Sequence, residues 1–436
     1  MYDRRIINGL VYQDGEFKPT NVYINGEKIA LISPEEFDAE QSTDAAGLLI
    51  APGIIDAHVH ISLNGAGGNL SCDDYRSGSI AAAYGGVTTF IDFLGEAASV
   101  AEMRNFFNEK MEIAQDALID YALHASAKDL IDSAEDMADQ AAAQGTPSIK
   151  LYTTYRPSGI YSSPKTVEDF IARSARGDVR IIIHAEDDAL INHENKDARN
   201  LAQNRPPECE IEEVRKIAEW TRKHQGNSYI VHVNCGETIE MLKEEFSDIL
   251  HKNLYLESAP QYFVFDESVY GLEDYYRYTI TPPFRSVEQR ELLRKNWREI
   301  SVFATDHCPF TLDAKRNAEG NLAVMPMGMG GMEYLFPLMH SLYGNKVIDQ
   351  LTVNPAKMFG LYPQKGVLAP GSDADIVLYR EGPGVIDELH SAADDSPYLG
   401  LEVDAKIVST MSRGRWVVEN GELREGSAGK FVFGRL

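Results

Sequence analysis

The chain is poor in positive charge, in long apolar runs and in cysteine. Lys and Arg total 41 against 67 Asp and Glu, a formal net charge of −26. Nucleic acid and anionic membranes are bound through clustered Lys and Arg, so this composition argues against both as partners. No run of eighteen apolar residues occurs, and no membrane-spanning helix is expected. The opening MYDRRIINGL has neither an apolar stretch nor a small-residue cleavage site, so no signal peptide is read there. Cys72, Cys209, Cys235 and Cys308 stand far apart with no CxxC pair. That fits a reducing, cytoplasmic setting better than a disulfide framework. A Gly-rich phosphate loop after an early strand is also lacking, which counts against a doubly wound nucleotide-binding sheet.

What is present falls into two styles. The first fifty residues are short alternating β runs broken by Asn8-Gly9, Asp14-Gly15 and Asn25-Gly26 turns. DIVLYR (375–380) and RWVVENGEL (415–423), with its Asn420-Gly421 turn, repeat that style at the other end. Residues 1–51 and 365–436 are therefore expected to build one discontinuous β-sandwich domain.

Residues 52–364 have another rhythm. Apolar runs recur at 52–60, 86–93, 118–125, 147–155, 179–186, 228–235, 254–260 and 301–308. Helix-like stretches such as 286–300 separate them. Strands apolar on both faces belong to a covered parallel sheet. Eight such units, with strand ends spaced 26 to 48 residues apart, predict an α/β fold of the (β/α)8 TIM-barrel type.

The polar residues closing these runs carry the chemistry. His58 and His60 end the first, Lys150 lies in the fourth, His184 ends the fifth, His232 lies in the sixth and Asp306 in the eighth. In a barrel these ends converge on one face. His58 and His60, two apart, point to the same side of a strand and can grip one metal. A lone histidine in a buried run needs only a hydrogen-bond partner. Six such residues on five strands fit that bland reading poorly, and a buried lysine is costly unless paired or neutralised.

HVH (58–60), IKLYTTY (149–155), HAE (184–186), VHVNC (231–235), APQYF (259–263), TPPFR (281–285) and TDHCPF (305–310) together resemble the cyclic amidohydrolases. Within them the dihydropyrimidinases and hydantoinases are the nearest likeness. The resemblance covers nearly the whole chain in the family's order. It implies a binuclear hydrolase that opens a hydantoin or dihydropyrimidine ring to an N-carbamoyl amino acid. It further implies that carbon dioxide converts Lys150 to an N6-carboxylysine bridging two divalent metals. His58, His60 and Asp306 would hold one metal, and His184 and His232 the other. Zinc suits imidazole and carboxylate donors best, with manganese, cobalt or iron as alternatives. Asp306 would also move the proton, and Tyr155 would donate to the developing oxyanion. Thr281, Met327 and Gly328 fall where the family contacts its ring, and the family resemblance implies a homodimer or homotetramer.

Two departures bear on substrate. The stretch ISLNGAGGNLS (61–71) has no arginine of the kind dihydroorotases use for a carboxylate. Met327 stands where hydantoinases carry an asparagine, and a thioether cannot replace an amide's donor and acceptor. The competing readings are an allantoinase- or dihydroorotase-like hydrolase, a mononuclear deaminase of the same superfamily, and a non-catalytic family member.

Overall fold

The computed structural model describes residues 1–436 except Glu425 and Ser427. Eight parallel strands form one sheet in which sequence neighbours are spatial neighbours throughout. They are Ile54–Val59, Val87–Ala97, Asp120–Ala127, Ser148–Tyr152, Arg180–His184, Ser228–Ile230, Leu254–Ser258 and Val302–Phe303. A parallel bridge between Val59 and His307, with the His60 N–H donating to the His307 carbonyl at 2.8 Å, joins last to first. The sheet is a (β/α)8 barrel. Ile55, Ala57, Ile91, Ala122, Ile182 and Val302 fill its interior, while the other face packs on helices such as Val100–Ile113, Pro164–Ser174 and Pro207–His224. Burial on both sides is why these runs lack polar alternation.

The helix expected over 286–300 is shorter. It starts on the Ser286 cap and ends at Lys295, where the Asn296 amide turns back to the Leu292 carbonyl at 3.0 Å. A 3-10 turn over Trp297–Glu299 completes the segment.

Both chain ends build two further sheets. One holds Lys28–Ser33, Asn21–Asn25, Tyr2–Ile7 and Ala39–Asp44, in that order. The other has seven strands and combines N-terminal strands with Ile376–Val385, Glu402–Ser412 and Arg415–Glu419. Ile6, Val22, Ile24, Ile50, Ile376 and Met411 form the core between them.

Asp14-Gly15 and Asn420-Gly421 have positive φ at both residues, as two-residue hairpin turns require. Asn8-Gly9 does something else: it carries the chain from the first sheet into the second. A Cβ on Gly9 would lie 2.6 Å from Ile50 Cδ1, so close approach between layers demands the glycine. Two segments leave the sheets altogether. Residues 386–401 cross to the barrel, where Asp395 pairs with Arg277 at 2.6 Å, and Phe431 bridges to Tyr121 at the barrel's other end.

Candidate active site

The C-terminal strand ends enclose a cavity of about 990 Å³. His58, His60, Lys150, His184, His232, Asp306, Tyr155, Thr281, Met327 and Gly328 all line it. Residues scattered over some 270 positions thus meet in one mouth.

Three of them adopt left-handed backbone: Tyr155 with φ 70°, His232 with φ 41° and Asp306 with φ 52°. Non-glycine residues in such conformations cost about 1–3 kcal/mol each and persist where the surroundings hold them. The sixth and eighth strands consequently stop at Ile230 and Phe303, short of the apolar runs that contain them. The backbone turns there, swinging His232 and Asp306 toward the axis.

His58 Nε2 lies 3.3 Å from His60 Nε2, and each is 3.2 Å from Asp306 Oδ1. One donor atom from each of the three falls within 4.8 Å of the others, a spacing that one cation can gather. Beside them, His184 Nδ1 sits 3.0 Å from His232 Nε2. The far nitrogens of two of these rings are held by carboxylates. His58 Nδ1 is 2.7 Å from Glu257 Oε1, and His184 Nε2 is 2.7 Å from Glu186 Oε2. Arg205 in turn pairs with Glu186 at 2.7 Å. Such carboxylate–imidazole pairs fix ring orientation and tautomer at metal centres. Burial, with Lys150 and neighbouring imidazoles adding to it, keeps the pKa of His58 well below its usual value. Burial and the neighbouring His184 and Lys150 do the same for His232. His184 is also lowered by burial, against the pull of Glu186. Neutral imidazoles have a lone pair to give.

Lys150 is 1 % exposed, and its Nζ makes no hydrogen bond among the described residues. It faces the rings of Phe93 and Tyr152 at 5.0 and 5.2 Å. Burial draws its pKa down to about 8, although Asp306, Glu257 and Glu96 pull the other way. Tyr155 packs 5.0 Å from the His184 ring, with the Arg205 guanidinium 5.3 Å from its own. Burial raises its pKa far beyond neutrality, so the phenol remains a donor. The nearby Thr281 side chain pulls that pKa slightly the other way.

The sequence reading passed over Glu257, Phe93 and Arg205. Glu257 had a signal, as a carboxylate inside the apolar run LYLESAP. Phe93 stacks on His60 at 5.0 Å and looks like any core aromatic in sequence. Glu186 orients His184, whereas Asp187 caps the next turn through Ala189 N–H. His307 turns away from the cavity: its Nε2 meets Asp73 Oδ2 at 2.9 Å. Cys235 is buried beside Asn234, while Cys308 reaches the cavity wall.

Imidazoles and a carboxylate gathered at the strand ends of a (β/α)8 barrel define a metal-dependent hydrolase. The chain belongs to the amidohydrolase family, whose model matches residues 49–417. It is 31 % identical over 463 aligned positions to a D-phenylhydantoinase of Escherichia coli O81 (strain ED1a), covering 98 % of this chain and 97 % of that protein. Among solved structures it resembles a D-hydantoinase from a Bacillus sp. AR9, with TM-score 0.93, 26 % identity and full coverage of both chains. It also resembles the dihydropyrimidinase from Brevibacillus agri NCHU1002, with TM-score 0.90, 27 % identity and 98 % coverage of each.

Proposed function

We propose that this amidohydrolase opens a hydantoin or 5,6-dihydropyrimidine ring to an N-carbamoyl amino acid. The observation that carries the reading is the pairing of two imidazole clusters close to a buried lysine that has neither a hydrogen bond nor an ion pair among the described residues. His58, His60 and Asp306 would hold one divalent ion, and His184 and His232 a second. The donor set fits: each of the four imidazoles turns a ring nitrogen toward its neighbours, and Glu257 and Glu186 take the far nitrogens of His58 and His184. Lys150 fits the bridging place as a carbamate. Its neutral amine adds carbon dioxide, forming a C–N bond and releasing one proton, and the product is an anion where a bare cation has no partner. Zinc is the ion this donor set favours.

When bound, the two cations supply Lewis acidity toward the carbonyl and acidify water near neutral pH. The chain's residues do the rest. Tyr155 donates its phenolic hydrogen to the carbonyl oxygen as negative charge develops there. Asp306 takes a proton from the attacking water and passes it to the leaving ring nitrogen. Leu63, Leu94, Phe106, Ile113 and Ile160 line the outer wall and suit an apolar ring substituent. No arginine lines the cavity among the described residues, and its Lys110 is already paired with Asp92 at 2.6 Å, which speaks against a substrate carboxylate.

Four free cysteines agree with a reducing compartment such as the cytoplasm. No helix is long and apolar enough to cross a membrane among the described residues. Assembly as a homodimer or homotetramer, and the division into a 52–364 barrel and a sandwich of 1–51 with 365–436, extend the same reading.

The test is a ring-opening screen of zinc-loaded protein with bicarbonate, using hydantoin, 5-phenylhydantoin, dihydrouracil, allantoin and dihydroorotate. Turnover of the first three, with N-carbamoyl products, supports the reading. Turnover of dihydroorotate or allantoin alone replaces it, and inertness toward all five defeats it.

A further inference from the structure

Lys315 sits on the short helix Leu312–Arg316, far from any role in the chemistry above. Its side chain is buried, 3 % exposed, and no carboxylate lies in ion-pair range among the described residues. Its Nζ instead donates to three main-chain carbonyls: Gly328 at 2.7 Å, Thr279 at 3.2 Å and Arg277 at 3.5 Å. Burying an ammonium without a counter-charge is expensive, so carbonyl dipoles must do what an anion usually does. Burial draws its pKa down to about 7.

The carbonyls come from two separate segments. One is the end of the 3-10 turn Tyr275–Tyr278, whose terminal carbonyls attract a cation. The other is the 326–331 stretch. Both run straight into the cavity wall, the first at Thr281 and the second at Met327. A second tie reinforces the clamp, since the Gly328 N–H donates to the Thr279 carbonyl at 2.9 Å. A side chain at Gly328, with φ 153°, would meet the Cys308 carbonyl at 2.2 Å, so the 328 backbone lies against Cys308 as closely as backbone allows.

We infer that Lys315 is a positioning residue, fastening the 277–279 and 328 backbones so that the cavity wall at Thr281 and Met327 fits a cyclic ureide or imide. The inference rests on the ring-opening reading for its substrate. Met327 has no amide side chain for the ring, so main-chain placement carries more of the fit. The Met327 N–H and C=O make no hydrogen bond among the described residues and are free for it.

The experiment compares wild type, K315M and K315A, zinc-loaded, with two readouts. Steady-state kinetics on the best cyclic amide should show KM raised about tenfold or more in K315M, with kcat within about threefold and the metal content unchanged. Propylammonium added to K315A should restore KM in part, which a merely destabilised fold would not do. Amide exchange measured without substrate should quicken about tenfold at Gly328 in both variants. K315Q, which keeps a donor, is the second variant should K315M fail to fold, and its effects should be smaller in the same direction. Unchanged KM with unchanged exchange overturns the inference, as does loss of kcat with KM unmoved. If wild type opens no cyclic amide, the ring-opening reading falls, and the exchange data alone decide whether Lys315 fastens the two segments.

Discussion

His58 on the first barrel strand and Glu257 on the seventh meet at 2.7 Å, Nδ1 to Oε1, inside the barrel. The same carboxylate oxygen takes the His232 N–H at 3.4 Å, and the other accepts from the Tyr229 hydroxyl at 2.9 Å. Glu257 therefore sets the ring of one candidate ligand and the backbone of another. E257Q keeps the volume but offers His58 Nδ1 a poorer acceptor. Zinc affinity should fall about 10- to 100-fold, the usual cost of losing such a partner, as read by chelator competition. Unchanged affinity would remove Glu257 from the metal centre.

Lys150 should carry carbon dioxide in the active protein. K150A is expected to bind fewer metal ions than wild type by elemental analysis and to lose ring opening. Short carboxylates such as acetate or propionate should restore part of both, because they place an anion where the carbamate would be. Full metal loading and activity in K150A without such additives would refute the bridging role.

The Tyr155 phenol is held over His184 by a strained backbone and stays protonated across the physiological range. Y155F should lower kcat about 10²- to 10³-fold, with metal content intact. T281A should have a smaller effect in the same direction, since Thr281 acts on the same hydroxyl. A rise in KM alone, with kcat preserved, would assign Tyr155 to ground-state binding.

His390 links the 386–401 segment to the barrel. Its ring stacks on Tyr84 with centroids 3.4 Å apart, its main-chain N–H donates to Glu333 Oε2 at 2.9 Å, and its ring Nδ1 meets Glu333 Oε1. Burial pulls its pKa down, but the Glu333 carboxylate outweighs this and the net shift is upward from 6.5. A raised folded-state pKa means the imidazolium stabilises the fold fully below pH 6.5, and that contribution is lost as pH rises through the folded value. Thermal unfolding of wild type and H390N should thus differ most at pH 5 to 6 and converge toward pH 9. A constant gap across that range would show that stacking, not charge, holds the segment.

Much of the site is legible from composition and spacing. Eight runs apolar on both faces can be buried only in a covered parallel sheet, so VRIIIHAE and SYIVHVNC announce barrel strands and place His184 and His232 at their ends. The two-residue spacing of His58 and His60 settles which side of a strand they share. Hairpins at Asp14-Gly15 and Asn420-Gly421 follow from residues that tolerate positive φ.

Other features exist only once the barrel closes. Asn8-Gly9 has the same local chemistry as a hairpin turn, yet it crosses between sheets because Ile50 from another strand presses on Gly9. His232 and Asp306 leave extended geometry early, a departure that propensity disfavours and surrounding contacts impose. Glu257 finds His58 from 199 positions away, and Lys315 finds carbonyls on two other segments. Periodicity and turn preference act over a few residues, so the sequence alone determines which stretches become buried strands and where the tight hairpins fall. Hydrogen-bond partners, strained φ angles and the clamp on the cavity wall depend on which distant segments become neighbours, and that is decided only by packing.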